Sequence, residues 1–455
     1  MSAPNQNSAL GTAPVGKLML KMAVPTVVAQ VVNLLYNIVD RIYVGQGVGA
    51  TALTGVGLCM PLMLFMNAFA MLAGSGGAPR AAIAMGRGDK EEANKILSNS
   101  FTLLLLFSVG ITAAYLLFAE PLLMMFGASS ETLPYALEYM NIISWGTVFT
   151  LIVMGLNTFL TTQGFSNFAM MTTIIGAVTN IVLDPVFIFT FDMGVAGAAL
   201  ATVLSQAVSA AFVLLFLTVG KKSILHITPK NMRLEGRIVG STMALGISGF
   251  VMVATESLLS ISFNSSLQRY GGDLAVGSMT ILSSCAQLAT MPASGIAQGC
   301  QPITSFNFGA GHHDRVKKCF CLQLCAAAGY TCLFWLAAMA MPQVFVQIFN
   351  KDAALVEHTV WAMRIYMAGI FSLGFQLVCQ QSFVALGQAK ISLLMACLRK
   401  LILLIPLIFI LPLFFENKVL AVFLAEPVSD IIAAAVTTTT FLTRFDKILK
   451  SGPAR

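Results

Sequence analysis

Charge is what this sequence has least of. Only 10% of its 455 residues are charged and 57% are hydrophobic, whereas a soluble domain carries about 25% charged residues. With a mean hydropathy of +0.84, the chain is excluded from the soluble globular class and reads as a polytopic helical membrane protein. Histidine is scarce, at four residues. Neither HExxH nor GxSxG occurs, so a membrane enzyme has no catalytic set to work with. GxxxxGK[ST] is missing too, so no ATPase domain supplies energy and active transport would have to draw on an ion gradient. The repeated pore loops of a channel are absent. Nine cysteines form no framework. Cys319, Cys321, Cys325 and Cys332 share one helix at a spacing that suits no metal and read, like the scattered others, as small packing residues. Residues 1–16 are polar and lack the ordered regions of a cleavable signal peptide. The net charge of +7 does not indicate nucleic acid, because the basic residues sit in short loops.

What is present is a series of apolar runs. Twelve spans are predicted, at about residues 17–44, 51–79, 95–118, 133–161, 167–190, 194–219, 237–268, 274–306, 316–340, 355–385, 390–414 and 418–442. An even number puts both termini on one side. Of the 26 Lys and Arg, 21 fall in loops and tails on that side, Arg399 and Lys400 counted among them. Only Arg41, Arg269, Lys351, Arg364 and Lys418 fall on the other. The positive-inside rule therefore places both termini, the 220–236 linker and the 443–455 tail in the cytoplasm.

The chain repeats itself. Gly76, Pro79, Gly86 and Gly88 recur as Gly299, Pro302, Gly309 and Gly311, all 223 residues on, and Gly164 recurs as Gly387. Residues 17–219 and 237–442 are thus two six-helix halves of the same orientation, a transporter architecture. The repeat fails at its ionisable residues: Asn180 and Asp184 align with Leu403 and Leu407, and Asp40 with Ile261. The ionisable cluster is expected in the first half only.

The most telling stretch is Asn180-Ile-Val-Leu-Asp184-Pro185. A carboxylate inside a span costs about 2.5–3.5 kcal/mol on insertion scales, so Asp184 is a functional candidate by default. Asn180 lies one turn earlier on the same face. Pro185 removes a donor and crowds the carbonyl of Ile181, which predicts a kink beside the acid; Pro25 predicts another in the first span. At 1.5 Å per residue, Asp40, Asp184 and Thr202 lie about 8, 9 and 12 Å below the outer ends of their spans. Asp40, Asn180, Asp184 and Thr202 could therefore meet at one level, with Tyr36 and Asn33 one and two turns below Asp40. Two close carboxylates in low dielectric do not both stay ionised cheaply, so the cluster would take a proton or, through carboxylate, amide and hydroxyl oxygens, Na⁺. Pairing of Asp40 with Arg41 or solvent is the alternative. Glu256, mid-span in the seventh helix, would attract a cationic substrate, form a second ion site, or bond to Ser257, Ser260 or a neighbouring Thr. Gln287 and Gln380, with Asn157, Asn33 and Tyr36, are further candidates for lining a substrate cavity, or bond between helices.

These residues carry a resemblance. Val24-Pro25 with Leu35-Tyr36-Asn37-Ile38-Val39-Asp40-Arg41-Ile42-Tyr43-Val44-Gly45 resembles the first-helix signature of the multidrug and toxic compound extrusion (MATE) family. The 180–185 stretch resembles its fifth-helix motif, Gly194–Thr202 the start of its sixth, and Ser305-Phe-Asn307-Phe-Gly-Ala-Gly311 the end of its eighth. The similarity covers residues 17–442. It implies an all-α integral membrane fold of twelve helices in two lobes forming a V, and export of cationic amphiphiles coupled to inward H⁺ or Na⁺. No cofactor is implied. The family's ion site carries over onto Asp40, Asn180, Asp184 and Thr202, with Tyr36 beside them, and Glu256 matches a seventh-helix acid of one branch. The chain departs from that branch in having no Asp between Tyr366 and Leu386, and is more similar to the prokaryotic DinF-like branch, with MepA-type exporters as near relatives. A monomer in the bacterial plasma (inner) membrane is the implied setting. A lipid or lipid-linked saccharide flippase of the same superfamily is the rival. It would want a strongly cationic cavity, and few Arg or Lys lie at mid-depth apart from Arg399 and Lys400.

Overall fold

A computed structural model describes residues 9–349 and 352–452. Among the described residues there is no strand, and eleven helices are long and apolar enough to cross a membrane. The first six are Val15–Gly47, Ala50–Gly86, Lys90–Met125, Leu133–Thr162, Ser166–Thr190 and Gly194–Thr218. The seventh and eighth spans lie in Gly236–Gly309, two helices that meet at a break at Gly272, where φ is +62° and ψ −160°, so the eleven segments hold twelve spans. His313–Ala340, Ala353–Ala385, Ala389–Leu413 and Lys418–Ser451 complete the set as the ninth to twelfth spans. The all-helical membrane fold expected from composition is thus the observed one. The last helix runs nine residues past its expected end at 442 because nothing in 443–451 breaks it: Gly and Pro come only at Gly452 and Pro453.

The repeated glycines have two physical jobs. At Gly88 and Gly311, and at Gly164 and Gly387, φ is +83°, +75°, +90° and +70°, a conformation that costs glycine little. Each ends a helix in the same way. The amide one residue on reaches back to a carbonyl inside the last turn, as in Asp89 to Ala84 (2.9 Å) and its repeat His312 to Asn307 (2.8 Å), or Phe165 to Leu160 (3.0 Å) and its repeat Gln388 to Phe383 (2.9 Å). Gly76 and Gly299 instead permit close helix crossings. A Cβ at Gly76 would lie 2.0 Å from the carbonyl oxygen of Thr242, and one at Gly299 would lie 2.6 Å from the Cα of Ala23.

Those crossings follow how the chain packs. It forms two compact units. One is Val28–Val253; the other joins the N-terminal part, up to Val27, to the chain from Ala254 on. The sequence repeats and the packing units are therefore different partitions, because the first and seventh helices each pass from one unit to the other in mid-span. Within the first unit, Gly76 meets the opening turns of the seventh helix at Thr242 and Gly246. Within the second, Gly299 and Gly295 meet the opening turns of the first helix at Ala23 and Val27. Polar groups secure the ends. Arg80 donates to the Ile238 carbonyl and Thr242 hydroxyl at 3.2 Å. Arg315 donates to the carbonyls of Leu10 (3.1 Å) and Ala13 (2.6 Å), and Asn307 donates to that of Leu10 at 2.9 Å. The buried Gln163 carbonyl oxygen accepts from the amides of Ile224 and Leu225 at 2.6 and 2.9 Å, which straps the 220–236 linker to the first unit.

Candidate functional site

The first unit gathers its polar groups where the fifth and sixth helices pack closely. Glycine makes the approach possible: a Cβ at Gly176 would lie 2.5 Å from Ser209 Oγ, and one at Gly197 would lie 2.9 Å from the backbone of Phe187. Immediately after Pro185 the fifth helix widens into a π turn, Val186–Thr190, consistent with the missing proline donor. The first helix runs unbroken through Pro25.

Asn180 and Asp184 are fully buried and Thr202 nearly so. The Asn180 amide nitrogen donates to Asp184 Oδ1 at 3.3 Å and to Thr202 Oγ1 at 3.4 Å, so one side chain ties the two helices together. Asp40 of the first helix comes within side-chain hydrogen-bond reach of Asp184. Tyr36 lies within electrostatic reach of both acids. The Arg41 side chain lies outside the described ones. Asn33 shares the first helix with Tyr36 and Asp40. Tyr139, which sequence reasoning missed, is also buried here, close to Thr202 and within electrostatic reach of Asp40 and Tyr36. Its signal was a tyrosine in an apolar fourth span, whose hydroxyl needs a partner when buried. The cluster brings together two carboxyl groups, an amide and the hydroxyl side chains of Thr202, Tyr36 and Tyr139, all oxygen donors.

The second unit holds a second ionisable cluster, which corrects the expectation that such a cluster belongs to the first half alone. Arg399 donates through Nε to Asp430 at 2.7 Å and through a terminal nitrogen to Glu426 at 3.0 Å. Lys400 donates to Glu256. The Glu256 partner is thus a lysine of the eleventh helix, not the Ser257, Ser260 or neighbouring Thr offered as the alternative to a ligand role. Arg399 and Lys400 are not loop residues either. They sit in a π turn, Leu398–Leu404, inside the eleventh span, with Lys400 buried, so neither belongs in a count of loop charges. Buried Tyr366 completes the group, within electrostatic reach of Glu426, Asp430, Arg399 and Glu256. Both clusters use repeat-equivalent helices: first, fourth, fifth and sixth in one unit; seventh, tenth, eleventh and twelfth in the other. The chemistry differs, acidic and neutral in the first, acidic and basic in the second. The readable signal was Glu426 and Asp430, one turn apart around Pro427, echoing Asn180 and Asp184 beside Pro185.

The remaining candidates are dispersed. Gln380 is buried and donates to the Ser392 carbonyl at 2.8 Å, a bond between neighbouring helices. Asn157 donates to the Ala169 carbonyl at 3.2 Å and also links two helices. Gln287 is exposed. Asn307, from the eighth-helix motif, holds the N-terminal segment and accepts from Arg315 Nε at 2.9 Å.

Buried charge clusters inside a bundle of apolar helices define a class, the polytopic membrane transporters. The MatE family model matches residues 25–186 and 249–440, most of the chain, and the chain belongs to that family, as its motifs indicated. Similar curated proteins include the multidrug export protein MepA of Staphylococcus haemolyticus strain JCSC1435. It is 23% identical over 395 residues, 87% of this chain and 86% of that protein. MepA of Staphylococcus aureus strain N315 is also 23% identical, over 88% of each. Among solved structures, a MATE in its bent conformation superposes with a TM-score of 0.92 at 24% identity, covering 99% of both chains. A MOP superfamily transporter from Pyrococcus furiosus gives 0.91 at 24% identity over 98% of this chain and 99% of that one.

Proposed function

We propose that the chain is a secondary active exporter, moving cationic amphiphilic small molecules out of the cell in exchange for H⁺ or Na⁺ by alternating access. The observation that carries this reading is the pair of carboxyl groups, Asp40 and Asp184, within hydrogen-bond reach of each other and tied to Thr202 through Asn180. Two bare carboxylates at that separation repel strongly in low dielectric. A proton or a sodium ion between them removes the repulsion, so filling and emptying the site changes how tightly the first, fifth and sixth helices are drawn together. Pro25 and the π turn after Pro185 are the places where those helices bend in response. The multidrug export function in the names of the MepA relatives supports the substrate class.

The setting proposed with it is a monomer crossing the bacterial plasma membrane with both termini in the cytoplasm, working without cofactor. The flippase reading is disfavoured: Arg399 and Lys400, the mid-depth cations it would draw on, are engaged by Asp430, Glu426 and Glu256.

Ethidium efflux from proteoliposomes, with ΔpH and ΔNa⁺ imposed separately, tests the proposal and names the ion. Wild type is expected to respond to one gradient, and Asp184→Asn to lose that response. Full coupled efflux by Asp184→Asn, or no efflux by wild type under either gradient, would end it.

A further inference from the structure

Glu256 and Lys400 form an unequal pair. The Lys400 side chain is only 6% exposed, while that of Glu256 is 54% exposed. Glu256 lies near the middle of the stretch between Gly236 and the bend at Gly272. A carboxylate that open at mid-membrane faces water, since facing lipid would be too costly. Behind the pair, Arg399 is shared by two carboxylates, Glu426 and Asp430, all three largely shielded from solvent. That inner group carries one formal negative charge if all three are ionised. Lys400 lies within electrostatic reach of Glu426 as well as of Glu256. Adding Lys400 makes the inner group neutral and leaves Glu256 as the one charge in excess.

We infer that Lys400 is a built-in competitor for cationic ligands at Glu256. Its ammonium occupies the carboxylate, a monovalent organic cation arriving from the aqueous side displaces it, and Lys400 is then retained by Glu426. The exchange needs no buried charge to go unpaired, because the inner group already balances Lys400 and the incoming cation balances Glu256. This gives the second unit a selectivity function: a ligand must bind Glu256 better than an internal ammonium does, which favours delocalised cations that lose little hydration over small, strongly hydrated ones. The inference rests on the reading of Glu256 as a ligand-binding acid.

The test is ethidium binding to the purified full-length protein, followed by fluorescence anisotropy, in wild type, Glu256→Gln, Lys400→Met, Lys400→Arg and the double variant Glu256→Gln/Lys400→Met. Lys400→Met is expected to bind at least about tenfold tighter than wild type, because the competitor is gone and the site gains one negative charge. Lys400→Arg is expected to bind several-fold weaker, since a guanidinium grips a carboxylate in two places. In the double variant, removing Lys400 should improve binding over Glu256→Gln by far less than the gain of about tenfold expected in the presence of Glu256, because no carboxylate is freed. If Lys400→Met fails to yield monodisperse protein, the weakening in Lys400→Arg decides. A folded Lys400→Met that binds no tighter than wild type, or a Lys400→Arg that binds no weaker, makes Lys400 a structural tether and overturns the inference. Unchanged binding in Glu256→Gln overturns the underlying assignment of Glu256 instead.

Discussion

The glycine at the crossing of the second and seventh helices allows a prediction worked directly from distances. A methyl group at Gly76 would sit 2.0 Å from the Thr242 carbonyl oxygen and 2.8 Å from the Gly246 nitrogen. Carbon and oxygen rest at about 3.5 Å, so the two backbones must separate by more than an ångström, and no side chain can rotate to relieve it. Overpacking of this kind costs about 1–3 kcal/mol or more. At Gly249, on the seventh helix, the nearest atom to an added Cβ is Ser75 Oγ at 2.5 Å, the end of a side chain that can turn away. At Gly240 nothing lies within 4 Å, and alanine there gains about 1 kcal/mol in helix propensity. Thermal denaturation of detergent-solubilised protein, read as the monodisperse fraction surviving each temperature, should therefore rank the variants. Gly76→Ala should fall several degrees below wild type, Gly249→Ala slightly below, and Gly240→Ala at or above it. Gly299→Ala should behave like Gly76→Ala, because its Cβ would strike the Ala23 backbone. A Gly76→Ala protein as stable as Gly240→Ala would refute the reasoning.

Tyr139→Phe removes the buried hydroxyl close to Thr202 and Asp40 while keeping the ring, so gradient-driven ethidium efflux should fall by about tenfold with little change in melting temperature. Arg399→Gln leaves Glu426 and Asp430 without their shared cation at a cost of about 3–5 kcal/mol, and the yield of monodisperse protein should collapse. Restoring charge balance with Arg399→Gln/Asp430→Asn should recover part of it. Gln163→Ala strips the linker amides of their acceptor; limited proteolysis should cut within 220–236 faster than in wild type, with efflux largely kept.

The fold was legible because a bilayer forces apolar length and helical satisfaction of every backbone group. Twelve runs were countable, including the seventh and eighth, which are separated only by the break at Gly272. The repeat was legible as spaced glycines, but spacing does not say what a glycine touches. Gly88 and Gly76 recur equally well, yet one caps a helix and the other admits a neighbouring backbone. In the first unit, Asn180, Asp184 and Thr202 stood out because polar residues are rare in their runs. The second cluster escaped for a physical reason. A count of basic residues by loop treats every Lys or Arg near a span end as solvated, and Arg399 and Lys400, about 14 Å beyond Lys390 at 1.5 Å per residue, were swept into it. Their acids are likewise invisible as partners until the eleventh and twelfth helices are set side by side.

The passage of the first and seventh helices from one unit to the other bears on biosynthesis. The unit beginning at Val28 is finished only by residues 236–253, and the unit resuming at Ala254 needs the opening turns of the first helix, made hundreds of residues earlier. As the chain leaves the ribosome, the earliest-inserted turns must wait in the membrane for a surface not yet translated. Six helices released at the linker would be a fragment rather than a domain, lacking the backbone against which Gly76 packs. Cutting the gene at residue 228 and expressing the pieces separately should therefore yield protein only when both are made in the same cell.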